Sequence, residues 1–122
     1  MRKSNSTNLE NEKRLEDTCG LTYAMILMKG RWTINVMWRI HNGANRYGLL
    51  KKEIEGISEK MLTQRLRDLE EMGLVIRKDF QTVPPHVEYH LSSAGEAFVP
   101  VIIALCEWGD KVRPVTKTLI AR

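Results

Sequence analysis

The sequence predicts a mainly α fold carrying one small β-hairpin. Three observations point there. Apolar residues recur at helical spacing through most of the chain. Only residues 75–91 alternate as strands do, with two prolines at their centre. Between Tyr47 and Leu74, two short helical patterns are separated by a turn containing Gly56. At 122 residues, with 43% hydrophobic and 28% charged side chains, the chain is expected to form one globular domain with a real core. No apolar run approaches membrane-spanning length, because Lys29 and Arg39 interrupt the best candidates.

Residues 1–9 are Ser/Asn-rich and are expected to form a disordered tail, with the folded domain over 10–122. Glu10 to Asp17 alternates charge around a lone Leu15, the composition of a solvated helix. Leu21 to Met28 reads as an apolar helix ended by Gly30. Trp32 to Asn42 reads as a second, with Ile34, Met37, Trp38 and His41 near one face and Val36 and Ile40 widening it; Asn42-Gly43 stops it. Asn45-Arg46 is expected to form a short strand.

The next helix carries Leu49, Leu50 and Ile54 on one side and breaks at Glu55-Gly56-Ile57. Ser58 is the N-cap of the helix after it, with Glu59 in the first turn. Leu62, Leu66, Leu69 and Met72 form its buried stripe, and Gly73-Leu74 closes it. Val75 to Gln81 and Val87 to Leu91 read as strands joined through Thr82-Val83-Pro84-Pro85-His86. Ser92 or Ser93 caps a last helix to about residue 112. Its stripe is Phe98, Val101, Ile102, Leu105, Trp108 and Val112, and Pro100 is expected to kink it. This stripe exceeds what a small core needs. The surplus, with the apolar faces of Leu21–Met28, points to a second subunit, although core packing accounts for any one residue almost as well.

The function lies on the helix that begins at Ser58. Lys60, Thr63, Gln64 and Arg67 fall opposite its leucines and are side chains that hydrogen-bond base edges and phosphates. Its far end carries Asp68, Glu70 and Glu71, so only its first half suits a polyanion. From Lys29 to Arg67 there are nine Lys/Arg and three Asp/Glu, whereas the whole chain carries only +4. Positive charge therefore concentrates on this region, as phosphate binding requires. A stiff hairpin directly after such a helix is a wing. A protein-binding winged module without DNA contact is the alternative, which the basic helix start argues against. No nucleophile–base pair, paired carboxylates or phosphate-cradling glycine loop suggests an enzyme. Cys19 and Cys106 lie far apart without a CxxC or Cys/His cluster, which argues against a zinc site or any metal or cofactor. The polar N-terminus does not read as a signal peptide, so the cytoplasm is expected.

Together these pieces resemble the HxlR-type winged helix-turn-helix regulators, relatives of the MarR type. The resemblance rests on Gly30-Arg31-Trp32-Thr33, Gly56-Ile57-Ser58, Leu62-Thr63-Gln64-Arg65-Leu66, Leu69-Glu70 before Gly73-Leu74, Val83-Pro84-Pro85 with Val87-Glu88-Tyr89, and Trp108-Gly109. It implies a homodimer, joined through its N- and C-terminal helices, that binds double-stranded DNA at a pseudo-palindromic operator. The helix-turn-helix would span about 47–74 and the wing about 75–91. Ser58, Lys60, Thr63, Gln64 and Arg67 then stand where relatives meet DNA, Lys51 and Lys52 would touch phosphates, and Arg65 is expected to pack its stem with its head out. His86 occupies a wing position often basic in relatives, Leu49 stands where an acid is common, and Gly20 where proline is common. A small-molecule or oxidant effector is also implied, with Trp32 and Trp108 as aromatic candidates near the dimer helices. Cys19 is a candidate redox sensor because cysteines near this position serve that role in relatives. It precedes a helix, as thiolate stabilisation wants, but Asp17 opposes it, and a buried small hydrophobe is the competing reading.

Overall fold

The computed structural model describes residues 19–120, with side chains described as far as residue 116. The expected tail over residues 1–9 and solvated helix over 10–17 lie outside these residues. The chain divides between Gly30 and Arg31 into two compact units. The described helix of the first, α1 (Gly20–Leu27), buries none of its residues. Gly30 follows it with φ +95°, a backbone that glycine adopts without strain.

The second unit contains α2 (Thr33–His41), α3 (Tyr47–Glu53), α4 (Glu59–Glu71), β1 (Val75–Asp79), β2 (Val87–Leu91) and α5 (Ser93–Ile120). Helix α2 is the hub, packing against α3, α4, β2 and α5. Its inward face is Thr33, Val36, Met37 and Ile40. That face is rotated from the expected one: Ile34 and Trp38 are half-buried and His41 is exposed. The apolar residues on several sides of α2 made its sequence compatible with either rotation. His41, the last residue of the helix, instead places Nδ1 3.3 Å from Glu96 Oε2 on α5.

Around α2 lie Leu50, Ile54, Ile57, Leu62, Leu66, Leu69, Leu74, Val75, Val99 and Ile102, all buried. Each buried aliphatic side chain of this size contributes about 1.5–3 kcal/mol relative to exposure. Two expected core positions differ. Leu49 is 43% exposed, because α3 turns Leu50 inward instead. Met72 is only half-buried at the C-cap of α4.

The sheet has two antiparallel strands, with Val75 opposite Leu91 and Arg77 opposite Tyr89. The strand expected at Asn45-Arg46 is absent. Asn45 contributes a single carbonyl, which accepts from the Tyr89 N–H at 2.8 Å. The first strand ends at Asp79, two residues earlier than expected, where Gln81 turns to φ 53° and its N–H donates to Asp79 Oδ1.

Ser92 joins the C-terminal helix to the rest. Its Oγ accepts from the Gly95 N–H at 3.1 Å and donates to the Gly73 carbonyl at 2.6 Å. A Cβ at Gly95 would collide with the Leu74 carbonyl, so only glycine allows this close crossing. Helix α5 continues through Pro100 and Pro114 to Ile120, past the expected end at residue 112. Its inward residues are Val99 and Ile102; Phe98 and Val112 are half-buried, while Val101, Leu105 and Trp108 are exposed. The predicted stripe therefore points mostly outward.

Candidate nucleic-acid interface

Local chemistry sets both ends of α4. Ser58 has extended backbone and its hydroxyl accepts from the Met61 N–H at 3.0 Å, satisfying one of the free amides of the first turn. Gly56, at φ +86°, makes the turn from α3. At the other end Gly73 takes φ +74°, its N–H donates to the Glu70 carbonyl at 3.0 Å, and the Leu74 N–H donates to the Leu69 carbonyl at 3.0 Å. This pair of bonds is a Schellman closure. The buried side of the helix is Leu62, Leu66 and Leu69. Lys60, Thr63, Gln64 and Arg67 are all exposed on the remaining surface.

These four residues are not equivalent. Lys60 and Gln64 lie in the middle of the outward face, whereas Thr63 and Arg67, one turn apart, lie on the flank turned toward the wing. Gln64 Nε2 donates to Asp68 Oδ1 at 2.8 Å. Asp68 also receives Arg65 Nη2 at 2.8 Å on its other oxygen. Arg65 was expected to hold its head out, but its side chain is only 20% exposed and the buried Nε has no partner. The nearby carboxylate on the same helix draws the guanidinium in.

Of the expected phosphate contacts on α3, Lys52 is exposed and Lys51 half-buried. The wing residue His86 is engaged within the protein. Its ring stacks on Phe80 at 4.4 Å and its Nε2 donates to Glu88 Oε2 at 2.8 Å. His90 Nε2 occupies the other oxygen of Glu88 at 2.8 Å. Hydrogen bonding from His90, and then from His86, holds the Glu88 carboxyl below its usual pKa.

Sequence reading missed Tyr47 and Arg77 among the residues that join helix and wing. A cleft of about 160 Å³ between α3, α4 and the hairpin is lined by Tyr47, Thr63, Arg67, Glu70, Arg77 and Tyr89, with Leu66 at its base. The Tyr47 hydroxyl donates to the Glu59 carbonyl at 3.1 Å and lies 3.3 Å from Thr63 Oγ1. Arg77 has a loose ion pair, 4.0 Å from Asp79. Strand alternation was the available signal, since it puts Arg77 on the Tyr89 side of the hairpin.

In the first unit, Cys19 is exposed at the N-cap of α1. Its Sγ is 3.3 Å from Thr22 Oγ1. The Thr22 hydroxyl first, then the amides of Thr22 and Leu21, lower the thiol pKa, although no amide closes a capping hydrogen bond. Among the described residues Cys19 is not buried as a small hydrophobe would be. Cys106 is exposed too. Trp32 lies under Arg31, whose Cζ is 4.4 Å from the ring centroid, and Trp108 is 63% exposed. No ring contact among the described residues gathers the two tryptophans.

The profile of the HxlR-like helix-turn-helix family matches residues 27–117. The chain belongs to that family. An HxlR-like protein of this kind is a DNA-binding helix-turn-helix transcriptional regulator and not an enzyme. The uncharacterised HTH-type transcriptional regulator YkvN of Bacillus subtilis is 41% identical over 92 residues, covering 75% of this chain and 78% of its own. A solved structure from Porphyromonas gingivalis, assigned to the MarR family, has 35% identity and a TM-score of 0.69, covering 88% of this chain and 96% of its own. The redox regulator HypR in its reduced form has 29% identity and a TM-score of 0.77, covering 82% of this chain and 99% of its own. The small antiparallel hairpin after α4 is thus the wing of a winged helix-turn-helix. Among the described residues no helix is long and apolar enough to cross a membrane.

Proposed function

We propose that this HxlR-like regulator binds a pseudo-palindromic DNA operator as a homodimer in the cytoplasm, using the first half of α4 as its recognition helix. The observation that carries the reading is the division of α4 into a fully buried leucine side and an exposed side bearing Lys60, Thr63, Gln64 and Arg67. Gln64 and Lys60, central on that side, meet base edges. Gln64 must exchange Asp68 for the base, so Asp68 sets the amide orientation before binding. Ser58 fixes the helix start, and Lys51 and Lys52 approach phosphates. His86 contributes to DNA binding only if it leaves Glu88. The second subunit covers the apolar surface of α5, where Val101, Leu105, Trp108 and Val115 are exposed, and α1, where Leu21 and Met25 are exposed. Two recognition helices would then enter half-sites about 34 Å apart.

Genome-wide selection of bound fragments followed by mobility shift tests this. A shared inverted repeat is expected, and Gln64→Ala should cost about 1–3 kcal/mol and relax discrimination at one base pair. Fragments without a common repeat, bound no better than random duplex, would refute it. A finer reading makes Cys19 a sensor of oxidants or electrophiles, supported by its exposure, its lowered pKa and the likeness to HypR. Repeating the selection with an oxidant should change occupancy in the wild type and not in Cys19→Ser; equal responses in both remove Cys19 from the pathway.

A further inference from the structure

The geometry points to a phosphodiester seat in the seam between recognition helix and wing, formed by Arg67 and Arg77 with Tyr47 and Thr63. This rests on the DNA-binding reading above and assigns residues within it. In duplex DNA one sugar–phosphate strand separates the major groove from the neighbouring minor groove. A protein with a helix in one groove and a wing in the next must let that strand cross between them. Here the crossing falls on the cleft lined by Tyr47, Thr63, Arg67 and Arg77. At about 160 Å³ the cleft exceeds the volume of several waters, each about 30 Å³ in the liquid.

The charges suit this occupant. Arg67 projects from the helix flank and Arg77 from the wing, so two guanidiniums approach the same opening from opposite walls. Each can present two parallel N–H donors to phosphate oxygens. Among the described residues Arg77 exchanges only a 4.0 Å pairing with Asp79. Thr63 and Tyr47 place hydroxyls 3.3 Å apart at the same wall. Glu70 also lines the cleft and offsets part of the charge, leaving one net positive among these side chains. The assignment gives Arg67, which the sequence groups with side chains suited to base edges or phosphates alike, to the backbone. Arg77, which composition and motif reading passed over, becomes a DNA contact.

The test is a salt titration of binding to a short random-sequence duplex and to the selected operator, using the full chain. Arg77→Gln and Arg67→Gln are each expected to weaken both duplexes by the same factor and to reduce the log–log salt slope by about one. Arg77→Lys should restore the slope, and Glu70→Gln should tighten both duplexes. Melting temperature is recorded for every variant. If Arg77→Gln fails to fold, Arg67→Gln and Glu70→Gln decide. An unchanged slope in the folded arginine variants overturns the seat while leaving DNA binding intact. Loss confined to the operator in Arg67→Gln returns that residue to base reading and also overturns it. A wild type that shows no salt-dependent binding to either duplex overturns the seat together with the DNA-binding reading.

Discussion

Helices α4 and α5 are both amphipathic, and they dispose of their apolar residues in opposite ways. Helix α4 puts Leu62, Leu66 and Leu69 wholly inside, and what it shows to solvent is mostly charge and amide. Helix α5 is 28 residues long, buries Val99 and Ile102 near its start, and exposes Val101, Ile103, Leu105, Trp108 and Val115. The difference lies in the partner each surface suits. The polar surface of α4 around Lys60, Gln64 and Arg67, with its buried back, fits a polyanion, whose binding is electrostatic. An apolar surface of this extent fits a protein surface, whose association is hydrophobic.

The comparison breaks first at the buried side of α4. Leu69→Ala should destabilise the fold by about 2–5 kcal/mol, since it removes a fully buried side chain. Chemical denaturation measures it, and a loss below about 0.5 kcal/mol, as expected for a surface site, would mean α4 is not anchored as described. Trp108→Glu on α5 is the counterpart. With the side chain 63% exposed in the protomer, it should leave far-UV dichroism unchanged while shifting sedimentation toward the monomer. An unchanged sedimentation coefficient would show that this part of α5 does not hold the proposed dimer.

Smaller effects sharpen the contrast. Ser58→Ala should cost about 1 kcal/mol, because the Met61 amide loses its acceptor, whereas Ser58→Gly should cost only a few tenths of that unit. Thermal melts of the two variants compare the cap with simple side-chain loss. The smallest effect is on pH. The Glu88 carboxyl has a pKa below its unfolded value, so its contribution to stability is present above the ordinary carboxylate range and is lost as pH falls through the lowered folded value. Melting temperature of the wild type should therefore drop more steeply on acidification than that of Glu88→Gln. Parallel curves for the two proteins would show that the His90–Glu88–His86 group adds nothing to wing stability.

Much of the helix-turn-helix half was legible because its signals are local. Ser58 as a cap, Gly56 and Gly73 as left-handed turns, and the leucine spacing of α4 each depend on a few neighbouring residues. The seam with Arg77 was not legible in the same way. Its membership depends on the pairing of Arg77 with Tyr89 and on where the hairpin lies against α4. Arg65 and Gln64 show a second limit. Both converge on Asp68, three and four residues along the helix, and either could equally have extended into solvent. Helix α2 shows a third, since apolar residues around it left its rotation open until Thr33, Val36, Met37 and Ile40 met the other elements.

By itself the sequence determined where α4 starts and stops, which stretch forms the hairpin, and where positive charge gathers. Those depend on backbone preferences and periodicity, which act over a few residues. Tertiary structure alone decided that Gly95 must lack a side chain against the Leu74 carbonyl, that Leu50 and not Leu49 turns inward, and that Arg67 and Arg77 share one cleft. Each requires the relative placement of segments distant in the chain, which packing sets and local pattern does not encode.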